Sequence, residues 1–326
     1  MDIYLGTDDG LAVFRGEKEE WRPLYIRLKG QHVTALAVSG AQAWAGTTDG
    51  LWRSRDRGAT WSPAESGLGV RHVRALATCP HLPDDPGIDR VWVGTEPAAV
   101  WLSPDGGESW HEAPDVARLR QVHDWSLPYS PAAGCVRGFA LGADAAPDPE
   151  TAPSMDRIYA AVEVGGVLRS DDAGATWRLL AGGVHEDVHD LVTHSALPDS
   201  VYAATGGGCY RSRDGGLTWE RIAEGYTRAV WVDPDRPEIM LVGPARYVGA
   251  LGRVERSTDG GDTWALASDG FKVPMSDMIE RFVSAGSHVL ALTSDGVLYT
   301  AKRGIWMWHP LALGLSPVRA VAVGEG

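Results

Sequence analysis

Cysteine, basic charge and long apolar runs are what this sequence has least of. Its 326 residues include three cysteines, Cys79, Cys135 and Cys209, which stand far apart and form no CxxC pair. An odd, scattered set of this kind does not build a disulfide framework. Lysine and arginine number 30 against 43 aspartates and glutamates, a formal charge of −13. Such a chain gains nothing from neutralising phosphates, which argues against nucleic acid and against an anionic membrane surface as partners. No apolar run approaches the ~20 residues that span a bilayer. The start, MDIYLGTDDG, has neither the basic nor the apolar region of a secretory signal. Together these absences predict a soluble, cytoplasmic protein.

What the chain does contain is one octapeptide, Ser-x-Asp-x-Gly-x-Thr/Ser-Trp, five times over. It occupies Ser54–Trp61, Ser103–Trp110, Ser170–Trp177, Ser212–Trp219 and Ser257–Trp264. Self-similarity within a unit of roughly forty residues means a stacked array of one supersecondary element. Around each octapeptide the same order recurs. An alternating strand such as VTALAV (Val33–Val38) comes first, then a second such as AWAGT (Ala43–Thr47). After a Gly-rich turn a third strand runs into the octapeptide, and its Thr-Trp end begins a fourth. Short β-branched and aromatic strands punctuated by Gly and Asp predict a four-stranded antiparallel meander, which repeated radially is a propeller blade.

Second strands number seven: Ile3–Gly6, Ala43–Thr47, Val91–Thr95, Ile158–Val162, Val201–Thr205, Ile239–Gly243 and Val289–Thr293. The chain begins at a second strand and ends on an orphan first strand, VRAVAV (Val318–Val323). Pairing the two would close the ring and remove its exposed edges. The predicted fold is therefore all-β: a single seven-bladed β-propeller over residues 1–326, closed by its C-terminal strand on the N-terminal blade. Degenerate octapeptides mark the first and last blades, around Trp21 and Trp308.

The octapeptide is the Asp-box, or BNR repeat, and the chain resembles the Asp-box propeller superfamily over nearly its whole length. That superfamily includes sialidases, xyloglucanase-type glycosidases, sortilin-like receptors and a photosystem II assembly factor. The resemblance implies that the boxes lie on turns between third and fourth strands, away from the ligand face. The residues suit that place: Ser54 and Asp56 can hydrogen-bond within a tight turn, Gly58 supplies a permissive backbone, and Trp61 can pack between blades. The boxes are read as structural, with a calcium loop as the alternative. Sialidases of this kind carry an Arg-Ile-Pro motif and usually six blades. Here the nearest strings are Phe14-Arg15-Gly16 and Trp21-Arg22-Pro23, so sialidase activity itself is not expected.

Propellers bind ligands at the central channel. Aligning the innermost strands brings one residue per blade to the channel mouth: Thr34, Arg74, Arg137, His189, Arg228, Glu280 and Arg319. Guanidinium groups suit carboxylate, phosphate or sulfate, and burying them costs several kcal/mol unless they are paired or face an anion. Arg74, Arg137, Arg228, Arg319 and Glu280 are thus candidate ligand-binding residues. The alternative is that the arginines fill the channel, paired with acidic loop residues and water. Loops between second and third strands add Asp8, Asp9, Asp49, Glu96, Glu163, Arg246, Tyr247 and Asp295. Glu96 and Glu163 lie in adjacent blades, where two carboxylates can serve glycoside hydrolysis; solvated rim charge is the plainer reading.

Two insertions were expected to wall this mouth. The segment near 111–136 contains His123, Trp125 and Tyr129, and Gly243–Arg253 carries Arg246 and Tyr247. Trp125, Tyr129 and Tyr247 are candidate stacking surfaces. The loop near 142–156 falls on the opposite face. The string HEDVH (His185–His189) matches a zinc-protease pattern that needs a helix, but it leads into a strand, where the histidines would lie ~13 Å apart. No metal, and without any phosphate-loop or dinucleotide fingerprint no cofactor, is expected.

Two functions follow. The first is a monomeric binding propeller whose arginine-lined mouth accepts an anionic, carboxylate-type small molecule or an acidic peptide or protein. The second is a hydrolase or lyase of glycosidase type acting on an acidic sugar or other carboxylate at the same mouth. There the arginines clamp the anion, His189, Glu96 or Glu163 move protons, and Tyr247 stabilises charge or acts as acid.

Overall fold

The computed structural model describes residues 1–17, 20–79, 89–127, 129, 134–142 and 156–324. Most of the loop near 142–156 lies outside the described residues. The strands form seven antiparallel sheets, six of four strands and one carrying a fifth. Numbered along the chain, their innermost strands are Val318–Gly324 in blade 1, Val33–Ser39 in blade 2 and Val73–Cys79 in blade 3. Cys135–Gly142, Val188–His194, Tyr226–Asp233 and Ile279–Ala285 follow in blades 4 to 7. Each innermost strand touches the next around the circle. In blade 1 the C-terminal strand pairs with Asp2–Thr7, from Asp2 opposite Gly324 to Thr7 opposite Val318. The ring is therefore closed by the pairing that the orphan strand predicted.

Seven buried apolar clusters occupy the seven seams between blades among the described residues. Between blades 3 and 4, for example, Trp92 and Val100 meet Val136, Ile158, Leu168 and Trp177. Between blades 7 and 1, Leu290 and Leu292 meet Ile3, Leu5 and Phe14. Each such side chain contributes about 1.5–3 kcal/mol by leaving water, so every blade depends on both neighbours.

The Asp-boxes are turns whose polar atoms satisfy one another. In the third, Ser170 Oγ donates to Asp172 Oδ1 at 2.8 Å and accepts from Gly174 N at 2.8 Å. Thr176 donates its amide to Asp172 Oδ1 and its hydroxyl to Oδ2. Gly174 has φ 92°, and a Cβ there would lie 2.6 Å from Trp92 Nε1, so only glycine fits. Boxes also reach the preceding blade: Arg53 donates to Gly106 O and Glu108, Arg169 to Gly215 O, and Arg211 to Gly260 O and Asp262. The box carboxylate oxygens thus accept from hydroxyls and amides of their own turn, the bonding that a structural role requires.

Two insertions depart from the plain blade. Between blades 3 and 4 a helix runs from Pro114 to His123, with Pro at its start, Asp115 in its first turn and Arg120 and His123 in its last. Val116 is its buried residue, and Arg120 donates to Ala98 O at 2.7 Å. In blade 6 the second strand, Arg236–Tyr247, outruns its inner neighbour and folds back through Ala250–Gly252 as a projecting hairpin. No helix among the described residues is long and apolar enough to cross a membrane.

Candidate functional site at the channel mouth

Each innermost strand carries an irregularity at its first turn of pleat. The register shifts between Val33 and Ala35, Val73 and Ala75, Val136 and Gly138, Val188 and Asp190, Thr227 and Val230, and Ile279 and Arg281. In blade 1 Thr7 pairs with Val318 and Gly6 with Ala320, skipping Arg319. The residues passed over are Thr34, Arg74, Arg137, His189, Arg228 together with Ala229, Glu280 and Arg319. A bulge leaves its extra residue outside the ladder and re-aims the side chain, and bulges gather beside functional sites. The seven ring positions are thus set by backbone geometry in every blade.

Five of them, Thr34, Arg74, Arg137, Glu280 and Arg319, line a cavity of about 230 Å³ in the channel. Leu36, Leu76 and Phe139, two residues further along three of the same strands, give its lower wall an apolar character. His189 and Arg228 are not among its lining residues.

The arginines are tied to acids. Arg319 grips Asp8 with two hydrogen bonds of 2.8 Å, which hold that carboxyl below its usual range. Glu280 spans the channel: Oε1 accepts from Arg228 at 2.6 Å, and Oε2 lies 3.7 Å from Arg137. Arg137 also donates to Glu163 Oε2 at 3.3 Å. Burial opposes the charge on Arg137, but Glu163 and Glu280 outweigh it and raise its pKa. Arg228 further donates to Tyr226 Oη at 3.2 Å. Arg74 is the loosest. Its Nε donates to the buried Cys135 thiol at 3.3 Å, and Glu96 is 3.7 Å away. Burial pushes the Cys135 thiol up to about 11, so it is a neutral partner at pH 7.

The sequence-derived candidates are therefore divided. Glu96 and Glu163 do not pair with each other: Glu163 accepts a hydrogen bond from Arg137, whereas Glu96 stands 3.7 Å from Arg74 without one. Tyr129 is 63 % exposed and donates to Glu163 Oε2 at 3.1 Å. Trp125 corrects the reading as a stacking surface: it is buried in the seam between blades 3 and 4, beneath His123. Arg246 and Tyr247 stack on one another at 5.6 Å on the projecting hairpin, and neither bonds to the ring among the described residues. His189 is 2 % exposed and packs 5.0 Å from the Tyr226 ring, and burial lowers its pKa. No helix forms at HEDVH: the innermost strand begins at Val188, so the exposed His185 lies on the loop before it while His189 is buried within it. Asp187 and Tyr226 are neighbours that the sequence reading passed over. Asp187 was inside the HEDVH string, but attention to two histidines hid the carboxylate between them.

Fold and site define a seven-bladed propeller with a charged, bulge-built channel mouth. Solved structures share this architecture at low identity. YCF48 bound to a D1 peptide superposes with TM-score 0.62 and 16 % identity, over 92 % of this chain and 89 % of that one. Sqt1 from Chaetomium thermophilum, bound to the N-terminus of ribosomal protein L10, gives 0.56 and 14 %, over 93 % and 82 %. An ancestral GH74 enzyme gives 0.63 and 16 % over 91 % of this chain, which spans 37 % of that enzyme's length. At such identities the likeness is one of fold. No protein-family model and no curated protein matches the sequence.

Proposed function

We propose that this chain is a binding propeller that takes a carboxylate-bearing ligand, as a small molecule or the acidic end of a peptide, into its channel mouth. Arg74 is the anchoring group, and the observation that carries the reading is its incomplete pairing. It lines the cavity, its near partner is an uncharged thiol, and the nearest carboxylate is 3.7 Å off. Planar guanidinium forks recognise carboxylates in two-point contact, so an open fork beside an apolar wall suits an acid with a short apolar stem. Among the structural neighbours, YCF48 and Sqt1 hold peptides, which supports a binding role. Arg137, Arg228 and Arg319 are already engaged with Glu163, Glu280 and Asp8, and serve chiefly to fix the ring.

The test is a thermal-shift screen of small carboxylates, sugar acids and acidic peptides against wild type and Arg74→Ala. A ligand at 100 times its Kd should add about 2.7 kcal/mol of stability. The expected result is a carboxylate that stabilises the wild type and not the variant. A screen without carboxylate hits, or a hit that Arg74→Ala retains, overturns the reading. Replacing Arg137 and Arg228 together is the poorer test, because it strands Glu163 and Glu280 and so threatens the fold.

A further inference from the structure

His189 breaks a strong rule. Buried polar groups are nearly always hydrogen-bonded, and leaving one bare costs about 1–3 kcal/mol. Its ring is 2 % exposed, yet among the described residues neither Nδ1 nor Nε2 has a hydrogen-bond partner. Nε2 stands 3.4 Å from Asp187 Oδ2 without meeting hydrogen-bond geometry. Glu163 completes the group. It receives Tyr129 Oη and Arg137 Nη1 on the same oxygen, Oε2, which leaves Oε1 free. One donor atom from each of Glu163, Asp187 and His189 lies within 4.8 Å of the other two. Two carboxylates facing an imidazole form a metal-ligand donor set, with one cation, Arg137, already bonded to Glu163 Oε2 and leaving Oε1 for a second.

We propose that Glu163, Asp187 and His189 bind a divalent transition-metal ion of the zinc or manganese type at the seam between blades 4 and 5. Glu163 ends the second strand of blade 4, Asp187 leads into the innermost strand of blade 5, and His189 is the bulged residue there. Two strands thus supply Glu163 and His189, and Asp187 stands at the loop end that enters the second of them. One imidazole with two carboxylates suits zinc, manganese or iron, whereas calcium and magnesium favour oxygen alone. Tetrahedral ligands at ~2.1 Å from a metal stand ~3.4 Å apart. Asp187 and His189 already stand 3.4 Å apart, and the spread to Glu163, within 4.8 Å, therefore closes by up to about 1.4 Å, a movement shared by the Asp187 side chain, which is 23 % exposed. Tyr129 and Arg137, bonded to Glu163 Oε2, would orient that ligand from outside. Three protein ligands also leave a coordination position for water or a bound ligand, the pattern of reactive rather than structural zinc sites.

The experiment uses the full chain, stripped with EDTA and titrated with Zn²⁺ and Mn²⁺ by calorimetry and with Co²⁺ by visible absorption. One equivalent should bind, raise the melting temperature and give cobalt bands of nitrogen–oxygen ligation. Asp187→Asn and His189→Gln should each weaken binding more than about 100-fold, beyond the 10–100-fold typical of outer-shell changes. His123→Ala and His111→Ala, both at exposed histidines, should leave it unchanged. Absence of a bound equivalent overturns the proposal, as does binding that survives Asp187→Asn or that is lost in His123→Ala. Should His189→Gln fail to fold, Asp187→Asn and the cobalt spectrum decide alone. Arg74 takes no part, so ligand capture and metal binding fail separately.

Discussion

The two faces of this ring are built by opposite rules. On the box face the polar atoms answer one another within a turn: Ser103 Oγ serves both Asp105 and the Gly107 amide, and Asp105 serves Ser109 twice. On the mouth face some pairs stay within a blade, as Arg319 with Asp8 and Arg137 with Glu163, others cross blades, as Glu280 with Arg137 and Arg228, and some polar atoms lack partners among the described residues. Besides His189, the buried atoms His72 Nε2 and Asp277 Oδ1 lack hydrogen bonds among the described residues, and so do Trp44 Nε1, Thr78 Oγ1 and Trp101 Nε1 elsewhere in the ring, so the contrast is one of degree. The box face repeats almost unchanged in five blades, whereas the seven ring residues are of four types. Repetition is the mark of the assembly device, and its departures are where function is to be sought.

The sharpest way to break that contrast is to remove one aromatic from each face. Trp177, the last residue of a box, is 4 % exposed in the seam between blades 3 and 4 and donates to Gly174 O at 3.0 Å. Trp177→Ala should cost about 3–5 kcal/mol in urea unfolding, the usual range for emptying an aromatic core site. Tyr129→Ala on the mouth should cost under about 1 kcal/mol. Equal losses would mean that the mouth is as structural as the boxes.

A smaller effect is expected from Ser170→Ala. It leaves the buried Gly174 amide without its acceptor while sparing the bonds from Thr176 to Asp172. The loss should be about 1–3 kcal/mol, read by the same unfolding curves. A change below about 0.5 kcal/mol would show that water replaces the hydroxyl and that the box is a looser turn than its distances imply.

How far these faces could be read from sequence follows from the same division. Boxes, blade count and ring closure are legible because each depends on short-range chemistry, such as Gly174 beside Ser170, repeated until it is unmistakable. The ring positions were legible too, since they sit at one alignment column. Their partners were not: Glu280 of blade 7 reaches Arg137 of blade 4 and Arg228 of blade 6 only because the closed ring brings three distant strands to one axis. Trp125 looked like a binding surface because composition does not tell a roof from a seam. The helix at Pro114–His123 carried ordinary signals, Pro and Asp first, Arg and His last, yet is short enough to pass for a loop.

The smallest effect, and the one that separates the faces by sign, is on acid stability. Hydrogen bonds from Ser109, Ser103 and Glu108 outweigh burial at Asp105 and hold its pKa at about 2, against an ordinary 3.8. A carboxyl depressed in the folded state contributes stability that is present above the unfolded value and is lost as pH falls through the folded one. Its contribution should therefore fade between about pH 4 and pH 2. Asp277 on the mouth face is raised instead, first by burial and then by the charge of Asp295. There ionisation is what the fold resists, so stability is lost as pH climbs above 3.8 and regained on acidification. Melting temperatures from pH 2 to 7 should consequently move in opposite directions in two variants. Asp105→Asn should lower the curve at neutral pH and flatten its acid slope, whereas Asp277→Asn should raise it at neutral pH and leave the acid end where it was. If both variants shift the curve alike, the mouth carboxyls are as well satisfied as those of the boxes, and the two faces share one rule.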